Sequence, residues 1–499
     1  MSRRLHVEFI GPAGAPMPRE APDSLYASDL HFEPVRRKWE DLPDGTVEIE
    51  APPSPVALHA TISVPDFGVS WVTADNEGEG YGRRTAAIDF VHEAAASRLA
   101  DVQRVMAERG VPWSAGCCAH ADAAEDHLTS AAKASGARRA ALHLASLSHG
   151  LWAGELAVVE RARHRIAQGR KRKGFLFGCN TFTSGRHVRE VRRRFSKLLN
   201  FGTLPFYLAS LERQQDKPDY SRVDEMLAWC ERDGIAPKGH PLWWGHEAGI
   251  PEWLKGADWE AAQRHCRRVA ARSVQRYRDR IKVWDAINEA HDWANGLGLT
   301  HEQEVAITRV ACEAVRATDP DATVIVNNCC PFGEYAAYGV VHLGPVFEKV
   351  FTPLSYLDAL MEAGVDFDVV GVQVYFPARD MLAISKLLDE FARFGKPVHI
   401  TELGVSSGEH AAPPKGDAGA DPAAAPCQWH QPWCEKVQAD WAEWFYTMCY
   451  ARPEVQAITW WDFADPAFIP TAGFVREDGT PKESYHRVRA LLRQWGLGR

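Results

Sequence analysis

The stretch Val283-Trp-Asp-Ala-Ile-Asn-Glu289 decides how the chain is read. It is apolar and β-prone as far as Ile287 and stops abruptly at an Asn-Glu pair. A short strand ending on a carboxylate suits the catalytic face of a parallel α/β barrel, where strand ends project side chains into a common cleft. A second stretch of the same build, Pro397-Val-His-Ile-Thr-Glu402-Leu-Gly404, lies downstream. Two strand-end glutamates suit glycoside cleavage, in which one carboxylic acid protonates the leaving oxygen and one carboxylate attacks or activates water.

Outward from these two stretches, apolar β-runs alternate with amphipathic helices from Phe175 onward, the repeat of a parallel sheet. The predicted strands are Phe175–Asn180, Thr203–Ala209, Ala236–Trp244, Val283–Glu289, Thr323–Asn328, Val369–Phe376, Pro397–Gly404 and Ala457–Asp465. Eight such units predict an α/β fold, a (β/α)8 TIM barrel over residues 173–499, with the glutamates on strands 4 and 7. Other strand ends carry similar side chains: His240 and Trp244 on the third, Asn327 and Asn328 on the fifth, Gln373 and Tyr375 on the sixth, Trp461 on the eighth. One such residue means little; their convergence marks one face as a site.

Upstream, residues 1–82 hold β-runs such as Val56–Pro65 separated by Pro, Gly and Asp, which predicts a sandwich-like domain. Carbohydrate-binding modules are often of this kind, but so are many structural domains. Residues 83–172 switch to the helical period and read as a helical connector. The basic run Arg161–Lys173 reads as a solvated helix end and linker.

Composition narrows the function. A net charge of −9 argues against nucleic acid as partner. No run of 18 apolar residues predicts a membrane span. Eleven cysteines without regular spacing form neither a disulfide framework nor a zinc pattern, and no metal is expected. Because Met1-Ser-Arg-Arg leads into a strand-like segment, not an export signal, a cytoplasmic location is expected, or a secreted one if a signal has been trimmed. Eighteen tryptophans offer flat apolar faces suited to sugar rings, although most serve as core.

At this point the chain resembles glycoside hydrolase family 10, the retaining xylanase-type barrels of clan A. The residues that carry the likeness are Gly239-His-Pro-Leu-Trp-Trp244, Trp284-Asp-Ala-Ile-Asn-Glu289, Gly371-Val-Gln-Val-Tyr375, Ile400-Thr-Glu-Leu-Gly404 and Trp461-Asp462, in the family's order over roughly residues 175–495. The resemblance implies that Glu289 is the acid/base and Glu402 the nucleophile. It implies further that Asn288 binds the sugar 2-hydroxyl, and that His240, Trp244, Gln373 and Trp461 shape the site around the ring to be cleaved. The expected activity is retaining, endo-β-1,4-xylanase-like hydrolysis of an oligo- or polysaccharide without a cofactor.

Departures from the family pattern shift the expectation about substrate. The family's second strand-3 histidine is Gly245, with His246 one place late. Its strand-6 histidine is Tyr375, whose hydroxyl could orient Glu402 instead, and its strand-7 aspartate is Gly404. Where the family carries Asn-x-Met-Lys on strand 2, this chain has Leu204-Pro-Phe-Tyr207, so Tyr207 replaces donors that would grip sugar hydroxyls. Two other readings stay open: the same mechanism on a non-xylan glycan or a short intracellular oligosaccharide or glycoside, and a sugar-binding barrel without catalysis. The long loop Ser406–Cys434 reads as flexible over Pro413–Ala425, and its Trp429–Trp433 portion is expected to fold over the site, placing Trp429 on substrate.

Overall fold

A computed structural model describes residues 4–11, 25–50, 53–82, 87–291, 293–339, 344, 347–375, 378–408 and 428–499. Eight parallel strands close into a barrel in chain order: β1 (Leu176–Asn180), β2 (Phe201–Pro205), β3 (Ala236–His240), β4 (Val283–Asn288), β5 (Thr323–Asn328), β6 (Val369–Tyr375), β7 (Val398–Gly404) and β8 (Val455–Trp460), with β8 pairing back onto β1. The predicted strands therefore stand as strands, with corrected ends. Strand β3 stops at His240 because Pro241 has no N–H to continue the ladder. Residues beyond Pro205 leave the barrel for a helical turn, Leu208–Leu211, instead of extending β2. The Pro413–Ala425 segment lies outside the described residues.

The barrel wall is apolar, while its interior carries a buried ionic layer. Lys238 of β3 and Asp285 of β4 meet at 2.7 Å with both side chains fully buried. Burial alone would raise the Asp285 carboxyl, but Lys238 and His240 hold it below the usual carboxylate range. Nearby His399 is kept neutral, its pKa pushed down to about 3 by burial and by the Lys238 charge.

Two sheets precede the barrel. One has four strands, built from residues 39–41, 47–50, 4–8 and 87–89 in spatial order. The other runs Gln428–Trp429, Gly68–Ala74, Ala57–Val64, Leu25–Ser28 and Pro34–Val35, so a segment from beyond β7 adds its edge strand. Helices α1 (Phe90–Met106), α2 (Ala115–Ala131) and α3 (Gly136–Gln168) follow, and both sheets share a core with α1 and α3 through Phe90, Val91, Leu144, Leu147 and Leu151. Helix α1 starts where the Asp89 side chain accepts from the His92 N–H, an N-cap that satisfies one free donor.

Buried charges bolt this part to the barrel. Arg98 of α1 forms a two-pronged pair with Asp380 at 2.9 and 2.6 Å. Asp380 in turn caps the barrel helix Met381–Ala392 through the Leu382 and Ala383 N–H groups. Among the described residues no helix is long and apolar enough to cross a membrane.

Gly239 is the residue on which the β3–β4 contact turns. A Cβ there would lie 2.2 Å from the Trp284 ring, so only glycine lets the indole pack across β3. Gly239→Ala is expected to destabilise the fold by about 1–3 kcal/mol, the usual cost of overpacking. In urea unfolding the midpoint should fall with an unchanged slope.

Candidate active site

A cleft of about 340 Å³ opens over the C-terminal ends of the strands, and Glu289 and Glu402 face each other across it. Each reaches the site by local backbone design. Strand β4 shifts register against β5 between Asp285 and Ile287, and Glu289 then takes a left-handed φ of 51°, with its N–H bonded to the Asn327 carbonyl at 2.8 Å. A non-glycine residue held in that region is strained, a state that persists only where surrounding bonds enforce it. Strand β7 is buried along its whole length and delivers Glu402, itself 5% exposed.

The two carboxylates share one amide. Gln373 Nε2 of β6 donates to Glu289 Oε1 at 2.8 Å and to Glu402 Oε1 at 3.1 Å, so these two oxygens lie at most 5.9 Å apart. Around Glu402, Tyr375 Oη donates to Oε2 at 2.8 Å and Asn327 Nδ2 to Oε1 at 2.8 Å. Around Glu289, Trp244 Nε1 donates to Oε2 at 3.0 Å. Trp244 is held flat by stacking on His246, with ring centroids 4.5 Å apart.

His240 is oriented from below. Its Nδ1 lies 2.7 Å from Asp285 Oδ2, and its Nε2 lies 3.2 Å from Tyr207 Oη and 3.7 Å from Glu402 Oε1. Burial lowers its pKa, so it stays neutral with the proton on Nδ1 facing Asp285, and Tyr207 donates to Nε2. Asn288 Oδ1 accepts from Asn327 Nδ2 at 2.6 Å. Trp461 lines the same side, edge-on to His240.

Electrostatics follow from burial. Burial and the neighbouring Glu289 charge push the Glu402 carboxyl up to about 8, and burial also raises Glu289. Two carboxylates this close cannot both ionise at neutral pH, so the pair holds one proton. Donors reach both groups, three on Glu402 and two on Glu289, so the two carboxyls titrate as one coupled pair. Tyr375 and Tyr207 are pushed well up, first by burial and then by the Glu402 charge, and remain donors.

The structure thus brings Glu289, Glu402, His240, Trp244, Asn288, Gln373, Tyr375, Trp461 and Tyr207 together around one cleft. Trp429 is a correction. It sits 4% exposed in the short edge strand paired with Gly68–Val69, its Nε1 donating to Glu155 Oε1 of α3 at 2.9 Å. That pairing holds the indole against α3, away from the cleft. Asn327, next to the last residue of β5, joins the site residues by donating to both Glu402 and Asn288. Gly371 makes room for it, since a Cβ there would stand 2.9 Å from Asn327 Oδ1. Phe332, Glu334 and Arg379, from the loops after β5 and β6, also line the cleft, and no local pattern marks them.

Residues 206–489, more than half of the chain, match the model of Glycosyl hydrolase family 10. The chain belongs to that family. It is a glycoside hydrolase, and the match begins after β2, leaving outside it helices α1, α2 and α3 and every strand of the two upstream sheets except Gln428–Trp429. Among curated relatives, Endo-1,4-beta-xylanase B of Thermotoga neapolitana is 23% identical over 348 residues, covering 64% of this chain and 88% of that protein. Endo-1,4-beta-xylanase A of Phanerodontia chrysosporium is 27% identical over 210 residues, 39% of this chain and 46% of the relative. The chain thus spans less than half the length of that second relative. Among solved structures, a thermostable mutant of a xylanase from Cellvibrio japonicus superposes with a TM-score of 0.50 at 18% identity, covering 64% of this chain and 97% of that one, a likeness of fold.

Asp285→Leu would leave Lys238 charged and unpaired inside the barrel. A loss of about 3–5 kcal/mol is expected, read as a lowered urea midpoint; a change under about 0.5 kcal/mol would mean that Lys238 finds another partner.

Proposed function

We propose that this chain is a retaining β-glycosidase acting on β-1,4-linked xylan or the oligosaccharides derived from it. The observation that carries the reading is the shared Gln373 amide. An oxygen separation of at most 5.9 Å supports the close carboxyl spacing of a double displacement, ~5–5.5 Å, over the about 6.5–9.5 Å of an inverting enzyme.

In this reading Glu289, carrying the pair's proton, protonates the glycosidic oxygen. Glu402, ionised and aimed by Tyr375, Asn327 and Gln373, attacks the anomeric carbon. The leaving sugar departs with the Glu289 proton; Glu289, now a carboxylate, takes a proton from water, and that water releases the sugar from Glu402. Asn288 takes the 2-hydroxyl, and His240, Trp244, Gln373 and Trp461 enclose the ring. Xylan is favoured by the names of the relatives. Short oligosaccharides or a different glycan form the second reading, favoured by Tyr207 standing where the family carries an amide and an ammonium.

A panel of aryl β-glycosides and xylo-, gluco-, galacto- and arabino-oligosaccharides, with Glu402→Gln beside the wild type, tests this. Turnover of one sugar series, reduced on the order of 10⁵-fold in the variant, is expected; activity surviving in Glu402→Gln would remove the nucleophile. Glu289→Ala should slow unactivated leaving groups far more than activated aryl ones, because the former need protonation, and equal losses would count against the acid.

Tyr375→Phe removes a donor that favours ionised Glu402, so Glu402 holds its proton more tightly. The acid limb of kcat/KM is expected to move to higher pH, by about 1–2 units for a bond to a charged group. A limb that does not move would take Tyr375 out of this role.

A further inference from the structure

The carboxylates on β4 and β7 divide the barrel mouth. Strands β8, β1, β2 and β3 lie on one side of them, where Tyr207, His240 and Trp461 stand. Strands β5 and β6 lie on the other, and the cleft there runs to Phe332, Glu334 and Arg379. This second end is built unlike the first.

Arg379 is 3% exposed and Glu334 5% exposed, and they pair at 2.8 Å. The guanidinium lies over the Phe332 ring, 4.0 Å from its centroid. Directly behind stands the N-terminal sheet. Arg379 Nη2 also donates to Tyr26 Oη at 2.6 Å, and Tyr26 has no exposed surface. The neighbouring Ala378 carbonyl accepts from the Trp71 N–H at 2.9 Å and from Ser70 Oγ at 3.2 Å. Tyr338, from the loop after β5, donates to the Leu25 carbonyl at 3.2 Å. Each layer behind the Arg379–Glu334 pair is thus buried and tied by hydrogen bonds to the next.

We infer that the N-terminal sheet walls off the β5–β6 end of the cleft, making it a blind subsite that fits a short leaving group and excludes a continuing chain. The inference rests on the glycosidase reading above. There the ring to be cleaved lies on the His240–Trp461 side, so the walled end receives the part of the substrate that departs with the Glu289 proton. The substrate class is then an oligosaccharide, or a chain approached from its reducing end, with the rest of the chain extending over the β8–β3 side. Arg379, Glu334 and Phe332 are the specificity-determining residues. The strands that stand behind them, Leu25–Ser28 and Gly68–Ala74, lie outside residues 206–489, so this part of the wall is an addition to the matched barrel.

The test uses xylotetraose, xylopentaose and xylohexaose labelled at the reducing end, with an aryl β-xyloside to monitor the chemistry. The full chain is expected to release the label in a short product whose size does not change with substrate length. Phe332→Ala, which shortens the wall while leaving the ion pair, should raise the share of longer labelled products about tenfold, the scale of one pocket contact. Labelled products that lengthen with the substrate, or a mixture of internal cuts by the wild type, would overturn the wall while leaving the glycosidase intact. No turnover of the aryl xyloside or of any oligosaccharide would overturn the xylosidic reading and the wall with it. The wild-type product pattern decides even if Phe332→Ala does not fold.

Discussion

Two carboxylates buried within reach of one amide nitrogen are the constraint that the barrel mouth is built to meet. Left alone in a low-dielectric cleft they would repel each other and both protonate. Donors on Glu402 from β5 and β6, and Trp244 on Glu289 from the segment after β3, offset the cost of holding charge on the pair. The strained φ at Glu289 and the register shift in β4 aim the second carboxyl at the first.

Beneath them the Lys238–Asp285 pair extends the same logic downward. Asp285 neutralises a lysine that the barrel interior would otherwise not tolerate, and the same oxygen fixes the His240 tautomer. An ion pair at this depth adds little net stability by itself; it orients the ring above it. Small residues make the layering possible. Gly239 admits Trp284 and Gly371 admits Asn327, so two glycines of the matched motifs are demanded by neighbours.

The N-terminal sheets and helices are coupled to the barrel through buried charge, not through a loose linker. Arg98–Asp380 and Lys386–Asp101 tie α1 to a barrel helix, and Tyr26–Arg379 ties a sheet strand to the cleft wall. The edge strand made by Gln428–Trp429 crosses the other way, donating barrel sequence to the upstream sheet. Substitutions far upstream of the glutamates can therefore act on the shape of the cleft.

Hydrophobic periodicity made the eight strands legible, because a strand buried on both faces must be apolar throughout and a barrel helix must not. Polar residues breaking that pattern at strand ends, Glu289, Glu402, His240, Gln373 and Tyr375 among them, were legible for the same reason. Trp429 misled because an exposed-looking aromatic in a long loop carries no record of what it pairs with; its place was settled by hydrogen bonds to Gly68 and Glu155, hundreds of residues upstream. Arg379, Glu334 and Phe332 left no trace at all, since a loop residue's neighbours are chosen by the packing of distant elements. The sequence by itself determined the barrel and the residues at its strand ends, because both follow from local patterns of burial. Tertiary structure alone decided that the two carboxyls share the Gln373 amide and that a sheet strand stands behind Arg379, because both depend on contacts between segments far apart in the chain.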